Sequence, residues 1–212
     1  MRLICEHVDE NRAQKRAAIF SKIIEEEGQE RYIYASEYAR LIVNYRLDEE
    51  RAKKEAEIIN EEISKGKSNT FAREYAIYVV EYKLNEEKAR KQAKIYEEEI
   101  DKGENYIYAR EYARLIMNRR LDEKKAKEEA KIIVEEINKG ESTTFAREYA
   151  IYTVECRMKQ EKATERAKLY EKEVRSGKDL NYASEYTRLI VNCNVEEDQA
   201  RKQAEIYKEE VN

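Results

Sequence analysis

The sequence contains no proline and no tryptophan, and only 5 of its 212 residues are glycine. Proline and glycine are the residues that most often interrupt regular structure, in turns, hinges and linkers. A chain this poor in both is not expected to contain long loops, hinges or disordered segments. The sequence therefore predicts regular structure that is almost uninterrupted.

Residues that commonly carry catalysis or bind metals are also scarce. The single histidine is His7, and the cysteines are Cys5, Cys156 and Cys193. The spacing of these residues matches no metal site, and i and i+2 on a helix, as in Cys5 and His7, do not face each other. The sequence has no phosphate-binding glycine loop and no nucleophile elbow. We predict no catalytic residue, no metal site and no cofactor, and the odd cysteine count favours a reducing compartment, the cytoplasm.

Long apolar runs are missing as well. No stretch approaches the roughly 18 to 20 residues of a membrane-spanning helix, and no signal peptide opens the chain, so no membrane partner is expected. Charged residues make up 42% of the sequence, yet the net charge is only −4. This mixture predicts a soluble surface with many ion pairs between residues four apart. The acidic runs disfavour nucleic acid as a partner, because they would repel phosphate.

The glycines that are present mark a repeat. They are separated by 38 residues once and then by 37 residues, at Gly28, Gly66, Gly103, Gly140 and Gly177. A tyrosine follows the same 37-residue step at positions 38, 75, 112, 149 and 186. A constant period of this length is typical of a solenoid built from stacked helical hairpins.

Residues 70–103 show how one repeat is built. The first half, TFAREYAIYVVEYKL, has apolar residues at helical spacing, and the second half has alanines and larger apolar residues on one face. Asn85 and the two glutamates after it predict the start of a second helix, and Gly103 predicts its end. The alanines permit close packing of the helices. We therefore predict an all-α fold, an α-solenoid of antiparallel helical hairpins with about five and a half 37-residue repeats and about 11–12 helices.

We predict that residues 1–212 form a single array. It comprises a partial repeat at 1–34, the repeats 35–71, 72–108, 109–145 and 146–182, and a terminal repeat at 183–212. Residues 2–8, RLICEHV, match the second half of a first helix, RLIVNYRL at 40–47. Two interpretations of the irregular ends stay open: the array is a fragment of a longer one, or its ends meet a partner.

Alternate repeats resemble each other more than neighbours do. First helices that read EYARLIVN, EYARLIMN and EYTRLIVN alternate with EYAIYVVE and EYAIYTVE, so the duplicated unit is a pair of hairpins, 74 residues long. The alternating polar positions are Arg40, Arg114 and Arg188, with Asn44, Asn118 and Asn192, and with Glu81 and Glu155. Such a ladder is suited to recognising the backbone or the acidic groups of an extended peptide. The alternative is an ordinary solvated face with salt bridges between repeats.

Tyrosine is unusually abundant, with 17 residues against 3 phenylalanines. The tyrosines at the constant repeat position predict packing between repeats, with the hydroxyl reaching the rim. The tyrosines that vary between repeats, Tyr45, Tyr78, Tyr82 and Tyr152, predict a binding face. Tyrosine suits such a face because it brings a large contact area at a small entropic cost.

The repeat also resembles a known group. The pattern Ala72…Tyr75…Ala76…Leu84…Ala89…Ala93…Tyr96…Gly103 is similar to the tetratricopeptide and Sel1-like class of helical-hairpin repeats, over nearly the whole chain. The resemblance implies scaffold work, in which a groove holds peptides or partner proteins. It assigns no binding residue, because no binding motif of the class matches here.

We expect a non-catalytic protein- or peptide-binding scaffold that uses the face of the first helices. The alternative is a structural protein that self-associates head to tail through its ends, because a heterologous contact that does not close joins copy after copy. An engineered repeat scaffold is a third interpretation, suggested by the near-identity of the repeats. The cysteines, the many tyrosines and the irregular ends argue against it.

Overall fold

The computed structural model describes residues 10–211, which form eleven α-helices. These are α1 (Glu10–Glu27), α2 (Tyr32–Asn44), α3 (Glu49–Ser64), α4 (Asn69–Val80), α5 (Glu86–Asp101), α6 (Tyr106–Asn118), α7 (Glu123–Asn138), α8 (Thr143–Val154), α9 (Gln160–Arg175), α10 (Leu180–Thr187) and α11 (Glu197–Val211). A 3-10 turn precedes α2, and a π-helical turn, Arg188–Asn192, extends α10. Across residues 10–211 there is no strand and no helix long and apolar enough to span a membrane. Cys5, His7 and the helix match at 2–8 lie outside the described residues.

The chain divides into two compact units, Met1–Gly103 and Glu104–Asn212. In the first unit each helix from α1 to α5 packs against the next, and in the second unit each helix from α6 to α11 does so. Because the connecting segments are short, neighbouring helices run antiparallel. The predicted all-α fold of stacked helical hairpins is therefore confirmed. One continuous array over residues 1–212 stays a prediction.

Three second helices, α3, α5 and α7, begin at the kind of cap that the sequence predicts at Asn85. The side chains of Asp48, Asn85 and Asp122 each accept a hydrogen bond from the backbone amide three residues later, at 2.9 to 3.0 Å. Each bond satisfies one of the amides that the first helical turn leaves unpaired, and glutamate follows each cap, near the positive end of the helix dipole. Ser68 and Ser142 cap α4 and α8 in the same way.

Glycine follows each of the second helices of the hairpins, α3, α5, α7 and α9, as predicted. At Gly66 the backbone is left-handed, with φ at 84°. The amide of Gly66 donates to the carbonyl of Ile63 at 2.9 Å, and the amide of Lys67 donates to the carbonyl of Glu62 at 3.0 Å. These two bonds form a Schellman cap, which satisfies the last carbonyls of the helix and needs a residue that tolerates positive φ.

Gly140→Ala should destabilise the second unit by about 1 kcal/mol, because an L residue strains a left-handed backbone. The φ of Gly140 is 94°, and no atom lies within 4 Å of the place a Cβ would take, so the loss arises from strain and not from a clash. Urea denaturation followed by circular dichroism at 222 nm measures the change. Gly140→Asn is the matched control, since asparagine visits this conformation more readily. A larger loss for the asparagine variant than for the alanine variant would contradict the explanation.

The turn inside each hairpin uses a left-handed residue that is not glycine. Its φ lies between 51° and 55° at Arg46, Lys83, Arg120, Arg157 and Asn194. In the first unit the amide of Leu84 then donates to the carbonyl of Tyr78 at 3.0 Å, which closes the end of α4. The sequence predicts a tight turn here but not its left-handed residue, because arginine and lysine rarely adopt positive φ.

Small residues lie where the helices of a hairpin meet. The alanines of the second helices are fully buried: Ala52, Ala56, Ala89, Ala93, Ala126, Ala130, Ala163, Ala167, Ala200 and Ala204. Aromatic side chains fill the space beside them, as where Phe145 stacks on Tyr149 with ring centroids 5.8 Å apart. Of the constant tyrosines, those at 75, 112, 149 and 186 are buried, and Tyr38 is half-buried against the cluster around Ile23 and Leu41. The predicted packing role of these alanines and tyrosines is confirmed.

Candidate functional site

The arginines of the predicted ladder are engaged in ion pairs within their own helices. Arg40 pairs with Glu37 at 2.7 Å, and Arg114 pairs with Glu111 at 2.8 Å. Arg188 pairs with Glu185 in the same way, at 2.6 Å. The guanidinium of Arg40 also lies 5.0 Å from the ring centroid of Tyr45, a cation–π contact. A partner that binds these arginines by charge would have to compete with a carboxylate already in place.

Two of these glutamates also join neighbouring hairpins. Buried Glu37 accepts hydrogen bonds from Arg73 of the next first helix, as close as 2.5 Å, and buried Glu111 accepts from Arg147 at the same distance. Burial alone would raise the pKa of Glu111, but the hydrogen bond from Arg147 and the charge of Arg114 lower the pKa below its usual value. The salt-bridged face that sequence analysis left as an alternative is therefore present at these positions.

Two predicted binding tyrosines are in the core, and this part of the prediction is wrong. Tyr78 is 1% exposed and Tyr152 is 3% exposed, so neither can present a surface to a partner. The ring of Tyr152 packs with Phe145 and Tyr149, and the guanidinium of Arg166 lies 4.2 Å from its centroid. These rings stabilise the stack of hairpins and do not form an outer face.

The other predicted residues lie near the C-terminal ends of the first helices. Tyr45 and Tyr82 are exposed, at 55% and 53%. Asn118, Asn192 and Glu81 are also exposed, whereas Asn44 and Glu155 are half-buried. Asn192 ends the π-helical turn, and Asn44 and Asn118 end α2 and α6. Within the first unit, Glu81 lines an open groove of about 910 Å³ together with Ile58, Val79 and Val80.

A buried polar cluster in the second unit was not predicted. The Glu129 cluster consists of Arg119, Glu129 and Glu155, and Glu129 is fully buried. Arg119 pairs with Glu155 at 2.6 Å and lies 3.7 Å from Glu129. Neither carboxylate oxygen of Glu129 accepts a hydrogen bond from the described residues. The guanidinium of Arg119 thus lies near two carboxylates and forms a close ion pair only with that of Glu155.

The position of Glu129 favours its protonated form. Burial and the negative charge of Glu155 together raise the pKa of Glu129 to about 7, against the opposing charge of Arg119. Glu55 is the counterpart of Glu129 in the first unit. Burial and the charge of Glu81 raise the pKa of Glu55 to about 7. The cluster can therefore hold a proton near neutral pH. No group of three or more potential metal ligands occurs within residues 10–211.

The outer side of α11 is apolar and uncovered. The α11 face consists of Ile206, Tyr207 and Val211, which are 56%, 41% and 52% exposed. These residues lie one 37-residue step after Leu169, Tyr170 and Val174 of α9. Tyr170 is only 7% exposed, and Leu169 packs against the aromatic residues of α10. The α11 face is thus the same surface that α10 covers on α9.

In both units, the next helix covers the equivalent face of a second helix. Ile133 of α7 is fully buried, and its neighbour Ile132 packs against Phe145 and Tyr149 of α8. In the first unit Ile59 of α3 is 1% exposed and packs against Ala72 of α4 and its neighbours. Sequence analysis missed the α11 face, although the 37-residue step already aligns it with these interfaces.

Comparisons of the chain with protein-family models, curated proteins and solved structures found no match. The similarity to tetratricopeptide and Sel1-like repeats therefore stays an expectation from the sequence.

Proposed function

We propose that the chain is a non-catalytic protein-binding scaffold, and that it binds its partner through the α11 face. The observation that carries this proposal is the exposure of Ile206, Tyr207 and Val211 at positions that the next helix covers in other hairpins. Contiguous apolar residues on a protein surface commonly mark a binding site for another protein. Burying them would remove apolar area from water, the main favourable term in association.

The partner that fits this face is an amphipathic α-helix. Within the chain, α3, α7 and α9 each receive a helix on the equivalent face, and that helix presents an aromatic–alanine pattern. In α8 the pattern reads FAREYA, with Phe145, Ala146 and Tyr149 buried. A helix that lays such an apolar stripe into a groove is a common mode of peptide recognition.

The ion pairs of the first helices support this choice of surface over the predicted one. Arg40, Arg114 and Arg188 are paired with glutamates, and Tyr78 and Tyr152 are buried. Tyr45 and Tyr82 are exposed on the first unit, but Tyr45 already contacts Arg40 and Tyr82 already contacts the ring of Tyr78. The α11 face offers three apolar side chains at positions that are equivalent to the covered positions of α9. It is therefore the better candidate for a docking surface.

A peptide with the sequence of α8, one of the first helices of the hairpins, provides the probe. A fluorescein-labelled peptide of residues 142–159, with Cys156→Ser to prevent oxidation, is titrated with the full chain, and fluorescence anisotropy is measured. We expect saturable binding, although a short isolated helix must pay part of its ordering entropy on binding. The double variant Ile206→Glu/Tyr207→Glu should weaken binding at least about tenfold, because it places charge in the apolar contact.

Leu180→Glu is the matched control. Leu180 is 59% exposed in the same unit, but the equivalent residues Tyr32 and Tyr106 are also exposed, so this position lies outside the interfaces between hairpins. The control variant should bind the peptide as the wild type does. Equal weakening by Leu180→Glu, or unchanged binding by the double variant, would overturn the proposal.

A further inference from the structure

The Glu129 cluster has a counterpart in the first unit, and the two differ in one residue. One 74-residue step earlier, the two glutamates are Glu55 and Glu81, and Tyr45 replaces the arginine. The ring of Tyr45 is exposed and lies over the guanidinium of Arg40, 5.0 Å from it. Tyrosine carries no charge at neutral pH. The first unit therefore has the two carboxylates of the cluster without the arginine that accompanies them in the second unit.

Glu55 is the buried member of this pair. It is 2% exposed, and its Oε1 atom accepts no hydrogen bond from the described residues. Two positive charges act on its carboxylate, those of Arg40 on α2 and Arg51 on α3. Both arginines are paired with other carboxylates, however, those of Glu37 and Asp48. Because a buried carboxylate oxygen without a partner is costly, this position favours the approach of one more cation.

We propose that the first unit binds an arginine side chain of a partner protein between Glu55 and Glu81. The bound guanidinium takes the place that Arg119 has in the second unit, where the guanidinium lies 2.6 Å from Glu155 and 3.7 Å from Glu129. A guanidinium suits this pair because it is planar, always charged and able to donate to two carboxylates at once. This site goes beyond the proposed function and does not depend on the α11 face.

The open groove of the first unit gives such a side chain a route to the two carboxylates. Glu81 lines this groove, and so do Arg51 and Ile58 of α3. Glu55 lies four residues after Arg51 and three before Ile58, so it is on the same side of the helix. Ile58 and Val79 add apolar surface, on which the methylene groups of an arginine can pack. The groove therefore favours a cation with a hydrocarbon stem over a small hydrated ion.

Carboxyl NMR of the full chain, labelled with ¹³C-glutamate, tests the proposal. The probe is N-acetyl-arginine methylamide, added at pH 7 and constant ionic strength, and the side-chain signals of Glu55 and Glu81 are followed. We expect both signals to shift saturably at probe concentrations on the order of millimolar. The Glu55 signal should move towards that of an ionised carboxylate, because a nearby cation favours the charged form. The uncharged analogue N-acetyl-citrulline methylamide is the matched control. Equal shifts with citrulline, or no shift with arginine, would overturn the proposal.

Exchanging the residue that distinguishes the two units gives a second test. Tyr45→Arg should weaken probe binding to the first unit at least about tenfold, because its own guanidinium then takes the site. Arg119→Tyr should create the equivalent site in the second unit, so that the signals of Glu129 and Glu155 respond to the probe. Tyr32→Arg adds the same charge at the opposite end of α2, at a residue that is 60% exposed, and should leave binding unchanged. Equal binding by Tyr45→Arg and wild type, or a folded Arg119→Tyr variant that does not respond, would contradict the inference.

Discussion

Tyr152→Ala should destabilise the second unit by about 3 to 4 kcal/mol, close to the loss for other large aromatic-to-alanine changes in protein cores. The side chain is 3% exposed and packs with Phe145, Tyr149 and the alanines of α9. Its removal leaves a cavity between α8 and α9 that the rigid helices cannot readily close. Urea denaturation at 25 °C, followed by circular dichroism, gives the free energy of unfolding.

Tyr82→Ala is the control for this experiment. Tyr82 is 53% exposed and belongs to the same set of tyrosines that vary between repeats. Its loss should change the free energy of unfolding by less than about 0.5 kcal/mol, as for most surface substitutions. Similar small effects for Tyr152→Ala and Tyr82→Ala would mean that Tyr152 lies outside the core and that our assignment is wrong.

Glu129→Gln should stabilise the protein relative to wild type at pH 8, and the gain should vanish towards pH 4. The folded pKa of Glu129 is raised to about 7, above the usual value of 4.5. The unfolded chain therefore releases this proton at lower pH than the folded chain. Wild-type stability from this group is present below about pH 4.5 and is lost as pH rises towards about 7. Glutamine does not titrate, so the difference between the variants should grow by up to about 3 kcal/mol across that range.

Glu111→Gln provides a control of opposite sign. Hydrogen bonds from Arg147 and Arg114 outweigh burial and lower the pKa of Glu111, so its ionised form stabilises the fold. That contribution is present above the usual carboxylate pKa and is lost as pH falls below it. Glu111→Gln should therefore destabilise the protein at pH 8 and do so less at pH 3. Parallel pH profiles for the wild type and Glu129→Gln would contradict the buried, protonated state of Glu129.

Local features of the fold could be predicted from the sequence because each depends on a few adjacent residues. Asn85 and Asp122 start helices because their side chains reach amides three residues away. Gly66 and Gly140 end helices because the cap requires positive φ. The 37-residue step then repeats these signals, so one well-understood hairpin was enough to predict the others.

The positions that alternate between repeats were harder to interpret. Tyr78 and Tyr152 replace leucine at a core position, and we interpreted that variation as a sign of a surface. The structure indicates compensation instead: Tyr152 packs beside Arg166, which occupies the place that Glu129 has in α7. Variation at one buried site is matched by variation at its neighbour, and this pairing depends on contacts between helices that the sequence alone does not display.

The candidate sites depend on the same kind of contact. Arg119, Glu129 and Glu155 come from three segments of the second unit, and only the folded chain brings them together. The α11 face is recognised only when the exposure of equivalent positions is compared. Tyr207 is 41% exposed, whereas its equivalent Tyr170 is 7% exposed. Their sequence register is identical, so only the structure distinguishes a covered face from an uncovered one.

Methyl NMR of isoleucine-labelled protein tests the docking surface most directly. The full chain is titrated with the peptide of residues 142–159, and the δ1-methyl signals of Ile206 and Ile133 are followed. Ile206 is 56% exposed on the α11 face, whereas Ile133 is fully buried at the equivalent interface of α7. We predict a saturable shift of the Ile206 signal with little change at Ile133. An unchanged Ile206 signal, with shifts at isoleucines remote from α11, would contradict the account.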